Sequence, residues 1–112
     1  MKITGVIPAR WGSSRFPGKP LVMIDSKTMI RRVYDQAKKS KLITNVIVAT
    51  DDIRIANEII NSGGEAVMTS SEHNTGTDRI SEAIKKIGNK AGEIIVNIQG
   101  DEPFINPKTI DI

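Results

Sequence analysis

The chain has 112 residues, with 16 Lys and Arg against 13 Asp and Glu for a net charge of +3, and it contains no cysteine. That length holds one domain at most, and the missing cysteines exclude disulfides, thiolate metal sites and thiol nucleophiles. The mild charge excess, with only two Phe, one Tyr and one Trp for base stacking, argues against nucleic-acid binding. No apolar run reaches the length of a signal h-region or a bilayer span, so a soluble cytoplasmic protein is expected.

The first predicted element is a buried strand over residues 2–8. It runs into IPARWGSSRFPGKPL at 7–21, where Gly12, Ser13, Pro17 and Gly18 lie among the cations Arg10, Arg15 and Lys19. Glycines let the main chain approach phosphate oxygens, arginine forks bind them in pairs, and lysine adds a point charge. A Walker loop is excluded, since five residues separate Gly12 from Gly18 and Pro20 follows Lys19 where a hydroxyl would hold magnesium. The alternative is a glycine-rich turn with solvated arginines; three cations directly behind the first strand favour a polyphosphate.

Next comes a helix, with Thr28 as N-cap and Met29, Ile30, Val33 and Ala37 on its apolar face. Arg31, Arg32, Lys38, Lys39 and Lys41 then read as a solvated basic face. A strand at 45–50 leads to Asp51 or Asp52 as cap of a second helix, whose apolar face is Ile53, Ala56, Ile59 and Ile60 and whose end is Gly63. After a strand at 65–68 comes a polar loop over 69–78, whose run from His73 to Arg79 leads into the next helix. Its hydroxyls and Gly76 suit an anion or the polar edge of a nucleoside, or else Thr75 or Thr77 caps the next helix, Asp78 meets its dipole and Arg79 is solvated. His73 is read as an exposed loop residue. Ile80, Ala83, Ile84 and Ile87 mark that helix, and Gly88 its end. The last strand, 93–99, opens into Gly100-Asp101-Glu102-Pro103, where Asp101 is the candidate magnesium ligand against an acidic-turn alternative.

Short apolar strands alternating with amphipathic helices predict an open, doubly wound, mainly parallel sheet with flanking helices, a Rossmann-like fold. Ligands of such sheets sit beyond the strand C-termini, so the loops over 9–20, 69–78 and 100–106 should share one edge. Asn106 and Pro107 read as a new helix start five residues before the end, so residues 1–112 are expected to be the N-terminal, nucleotide-binding part of a longer domain.

Together, residues 7–21, IVATDD at 47–52, HNTGTDR at 73–79 and VNIQGDEPFI at 96–105 resemble the 3-deoxy-manno-octulosonate (Kdo) cytidylyltransferases. The resemblance runs through essentially the whole chain, and NTGTDR and QGDEP separate it from sialic-acid cytidylyltransferases. It implies a nucleotidyltransferase in which the anomeric hydroxyl of Kdo attacks the α-phosphorus of CTP, giving CMP-Kdo for lipopolysaccharide assembly and releasing diphosphate. It implies that Arg10, Arg15 and Lys19 hold the triphosphate, with Pro8, Ala9, Gly12 and Ser13 lining the nucleotide and Thr75, Gly76 and Arg79 selecting cytosine. It further implies Gln99 on the sugar side, Asp101 on Mg2+, and a homodimer with no nucleic-acid or membrane partner. The family's second metal-binding aspartate lies in a C-terminal half absent from these 112 residues, so low turnover by this chain alone is expected. Two alternatives stay open: a non-catalytic CTP-binding module, and a cytidylyltransferase for a related sugar acid such as 8-amino-Kdo.

Overall fold

The computed structural model describes residues 2–12, 18–72, 75–88 and 94–98. Within them, four parallel strands, β1 (Ile3–Ala9), β4 (Asn45–Thr50), β5 (Glu65–Met68) and β6 (Ile94–Asn97), form a sheet in the order β5-β4-β1-β6. The strands' period-two geometry sends alternate residues to opposite faces. Ile7, Val46 and Val48 face α1 (Met29–Lys38) and α2 (Ile53–Asn61), meeting Ile30, Val33, Ile55 and Ile59 in the larger core. Val6, Ile47 and Ala49 face the other way and meet Ile80 and Ala83 of α3 (Gly76–Ile87). Helices thus cover both faces, as the alternating pattern predicts.

The strand order fixes where a ligand can lie. The chain steps outward from β1 to β4 and β5, then returns through α3 to β6 on the far side of β1. That reversal makes the C-terminus of β1 the topological switch point, beyond which ligands of open α/β sheets bind. The segments after β1 and β5 share this edge, together with the turn after β4. The loop predicted over 100–106 lies outside the described residues.

Several local expectations need correction. Helix α2 buries Ile55, Ala56 and Ile59, while Ile53 and Ile60 are 56% and 51% exposed, so its core face is turned from the predicted stripe. Helix α1 buries Tyr34 as well as Ile30, Val33 and Ala37. Its basic residues are not simply solvated. Arg31 and Arg32 are half-buried, and Arg32 donates to the carbonyls of Ile24 and Asp25. Those carbonyls belong to an unpredicted hairpin of β2 (Met23–Ile24) and β3 (Lys27–Thr28), turned by Asp25 and Ser26 at φ 48° and 72°. A short 3-10 helix, Lys19–Leu21, precedes it.

Candidate nucleotide site at the strand C-termini

Beyond the end of β1, Arg10 and Gly12 are exposed and Trp11 is half-buried. The Gly18 N–H donates to the Trp11 carbonyl at 2.8 Å, bringing the two ends of the 11–18 segment together. Gly18 adopts φ 75°, and a Cβ there would stand 2.7 Å from the Trp11 ring, so glycine is required on both counts. Lys19, the next residue, is exposed at the start of the 3-10 helix. Two of the three predicted cations therefore project from the base of this loop. The third, Arg15, lies outside the described residues, as do Ser13, Gln99 and Asp101.

The second wall comes from α3. Thr75 caps it, its Oγ1 accepting from the Asp78 N–H at 3.1 Å, which settles the choice between Thr75 and Thr77. Accepting that bond leaves the Thr75 hydroxyl proton to donate. Gly76 lies against Pro8, where an added Cβ would come within 3.2 Å of the proline ring. Four predicted substrate residues, Pro8, Ala9, Thr75 and Gly76, are thereby brought together at the switch point.

Arg79 differs from the solvated alternative: it is 3% exposed. Its guanidinium donates to Thr69 Oγ1 and, at 3.0 Å, to the Ser70 carbonyl, so burial is met with hydrogen bonds. One and two turns on, Glu82 accepts from the Ser70 N–H at 2.9 Å and Lys86 donates to the Met68 carbonyl at 2.6 Å. Residues on one helical face are thus bound to the backbone leaving β5, which sets the height of the α3 N-terminus above the sheet.

The turn after β4 joins these walls, a role the sequence reading missed. Asp51 Oδ1 accepts from the Trp11 N–H at 3.1 Å, while Oδ2 lies 3.9 Å from Arg79. Asp52 caps α2 and grips Arg54 through both carboxylate oxygens, at 2.9 and 2.8 Å. Arg54 beside it holds the Asp52 carboxyl below the usual carboxylate range. The same guanidinium stacks 3.2 Å from the centre of the Trp11 ring. The only available signal was the paired aspartates at a strand tip, which read equally well as rival caps.

Among the described residues no cluster of three acidic or histidine side chains could hold a metal ion, and no helix is long and apolar enough to cross a membrane. This edge presents the exposed cations Arg10 and Lys19 and the exposed Thr75, a set suited to an anionic ligand.

Comparison with known proteins agrees with this arrangement. The family described as cytidylyltransferase matches residues 4–112. A 3-deoxy-manno-octulosonate cytidylyltransferase of Parabacteroides distasonis is 56% identical over 98% of this chain and 43% of its own length. An 8-amino-3,8-dideoxy-manno-octulosonate cytidylyltransferase of Shewanella sp. strain ANA-3 is 50% identical, over 99% and 45%. The solved CMP:2-keto-3-deoxy-manno-octonic acid synthetase complexed with CTP superposes with a TM-score of 0.92 at 45% identity, over 99% of this chain and 45% of that one. The chain therefore spans under half the length of these relatives.

Proposed function

The chain belongs to the cytidylyltransferase family, and from that premise we propose that it carries the CTP-binding part of an enzyme that activates 3-deoxy-manno-octulosonate. The anomeric oxygen of the sugar attacks the α-phosphorus of CTP, the bond from that phosphorus to the bridging oxygen breaks, diphosphate leaves, and the hydroxyl proton passes to solvent. Such a transfer depends on positioning and charge neutralisation and needs no covalent nucleophile. The observation that carries the reading is the meeting of the loop after β1 with the α3 N-terminus at the switch point.

In this reading Arg10, Arg15 and Lys19 hold the triphosphate and offset the charge of the departing diphosphate. Pro8, Ala9, Gly12 and Ser13 line the nucleotide. Thr75 donates its hydroxyl to the cytosine edge beside Gly76, and Arg79, buried among Thr69, Ser70 and Asp51, assists base selection by holding that wall. Gln99 stands on the sugar side. Asp101 would hold Mg2+, which supplies charge neutralisation on the phosphates when bound. The resemblance also supports a homodimer in the cytoplasm whose product feeds lipopolysaccharide assembly.

A second sugar acid, 8-amino-3,8-dideoxy-manno-octulosonate, is favoured by the 50% identity to the Shewanella enzyme. Calorimetric titration with CTP, ATP and GTP in magnesium tests the nucleotide assignment. CTP should bind at least about tenfold more tightly, a difference of about 1.4 kcal/mol, and Lys19→Ala should weaken it. Equal affinities for the three would leave phosphate binding intact and remove the base selection. Diphosphate release with each sugar acid then separates the two substrates.

A further inference from the structure

We infer that Asp51 is a positioning residue whose two carboxylate oxygens tie the loop behind β1 to helix α3, setting the spacing between the walls of the nucleotide site. The inference rests on the nucleotide-binding reading above, but its geometry stands independently. Strand β4 lies between β1 and β5, so the residue after its last member stands between the segments that follow both neighbours. Asp51 occupies it, with its side chain 12% exposed. Oδ1 receives the Trp11 N–H, and Oδ2 faces the buried Arg79 guanidinium.

Each partner leads to one wall. Trp11 adjoins Arg10, and its carbonyl and ring both meet Gly18, which precedes Lys19. Arg79 holds Thr69 and Ser70 and stands one turn from the Thr75 cap. The strand tip beneath Asp51 is itself fixed: the Thr50 carbonyl accepts from the Thr69 N–H at 2.7 Å, and Thr50 Oγ1 accepts from the Asp52 N–H at 3.2 Å. A small displacement of either wall moves the phosphate cations relative to the base-selecting hydroxyl. Because orientation is a large part of catalysis in such transfers, that spacing governs both affinity and turnover.

Trp11 is the single tryptophan of the chain, so its fluorescence reports the tie directly. In Asp51→Ala the hydrogen bond to Trp11 and the charge contact with Arg79 are both lost: without nucleotide, Trp11 emission should shift to the red and acrylamide quenching should rise, and CTP affinity should fall about tenfold or more. Asp51→Asn keeps an acceptor for the Trp11 N–H but removes the charge opposite Arg79. It should restore the wild-type Trp11 signal while CTP affinity recovers only partly, a split that general destabilisation does not produce. Circular dichroism confirms that each variant is folded. A folded Asp51→Ala protein with wild-type emission and wild-type CTP affinity overturns the inference. Should that variant not fold, Asp51→Asn decides, and unchanged CTP affinity there overturns it. If the wild-type protein binds no CTP, the functional reading fails, while the emission of Asp51→Ala without nucleotide still decides whether Asp51 sets the Trp11 loop.

Discussion

Tyr34 shows how one buried polar atom links two elements. Its ring lies under Gly64, where an added Cβ would come within 2.8 Å of the ring, and its phenol oxygen accepts from the Glu65 N–H at 3.3 Å. Helix α1 is thereby joined to the start of β5. Burial pushes the phenol's pKa above its ordinary 10.0, outweighing the Glu65 N–H, which favours the phenolate; the charges of Glu65 and Asp35 add to the rise. A folded-state pKa above the unfolded one contributes stability that is fully present below about pH 10 and is lost as pH climbs through the folded value. Tyr34 is the only tyrosine, so ultraviolet titration of the phenolate is unambiguous. Its midpoint should lie above 10.0 in the native protein and return to about that value in denaturant. A native midpoint at or below the denatured one would show that the phenol is not desolvated.

Helix α2 separates what periodicity specifies from what packing decides. Its apolar residues, Ile53, Ile55, Ala56, Ile59 and Ile60, lie within an arc of about 160°, wider than the roughly 100° that a core-facing stripe needs, so two overlapping stripes satisfy the same 3.6-residue pattern. The orientation that packs on β4 and β5 selects the stripe containing Ile55. Ile55→Ala should cost about 2–5 kcal/mol in chemical denaturation, and Ile53→Ala within about 0.5 kcal/mol. Comparable losses would contradict the orientation of α2. The helices and sheet strands were legible in the sequence because each carries a long apolar signal with caps at Thr28, Asp52 and Thr75. The β2–β3 hairpin was not. Its strands have two residues each, too few to show alternation, and its turn uses Asp25 and Ser26 at positive φ in place of an Asn-Gly pair. Of the proposed site, the placement of Arg10, Lys19 and Thr75 beyond the strand tips was legible because charge, glycine and hydroxyl follow strands. Asp51 was not, because a carboxylate's second partner depends on which strands are neighbours, and strand order is not written in local pattern. The burial of Arg79, which removes the solvated alternative, was hidden for the same reason, since it follows from the path of the backbone leaving β5.

Across the whole molecule, cohesion and ligand contact are graded along the same strands. β1 and β4 are flanked on both sides by other strands and covered on both faces by helices, with Val6, Ile7, Val48 and Ala49 each 0% exposed. Opening their central amides requires disrupting both cores at once, so they should exchange hydrogen only through global unfolding. The β2–β3 hairpin, with Met23 60% exposed, lacks that cover and should exchange far faster. The switch point stands between these extremes, rooted in the rigid tips of β1 and β4 yet composed of loops. CTP should therefore slow exchange chiefly at residues 9–12 and 75–79, through direct contact and restricted local opening, while the amides of Val6 and Val48 slow only as far as binding raises global stability. Exchange measured by mass spectrometry with and without CTP reads this pattern. Protection concentrated on the hairpin or on the outer face of α2, with residues 9–12 and 75–79 unaffected, would place the nucleotide away from the switch point and remove the basis for assigning Arg10 and Thr75 to it.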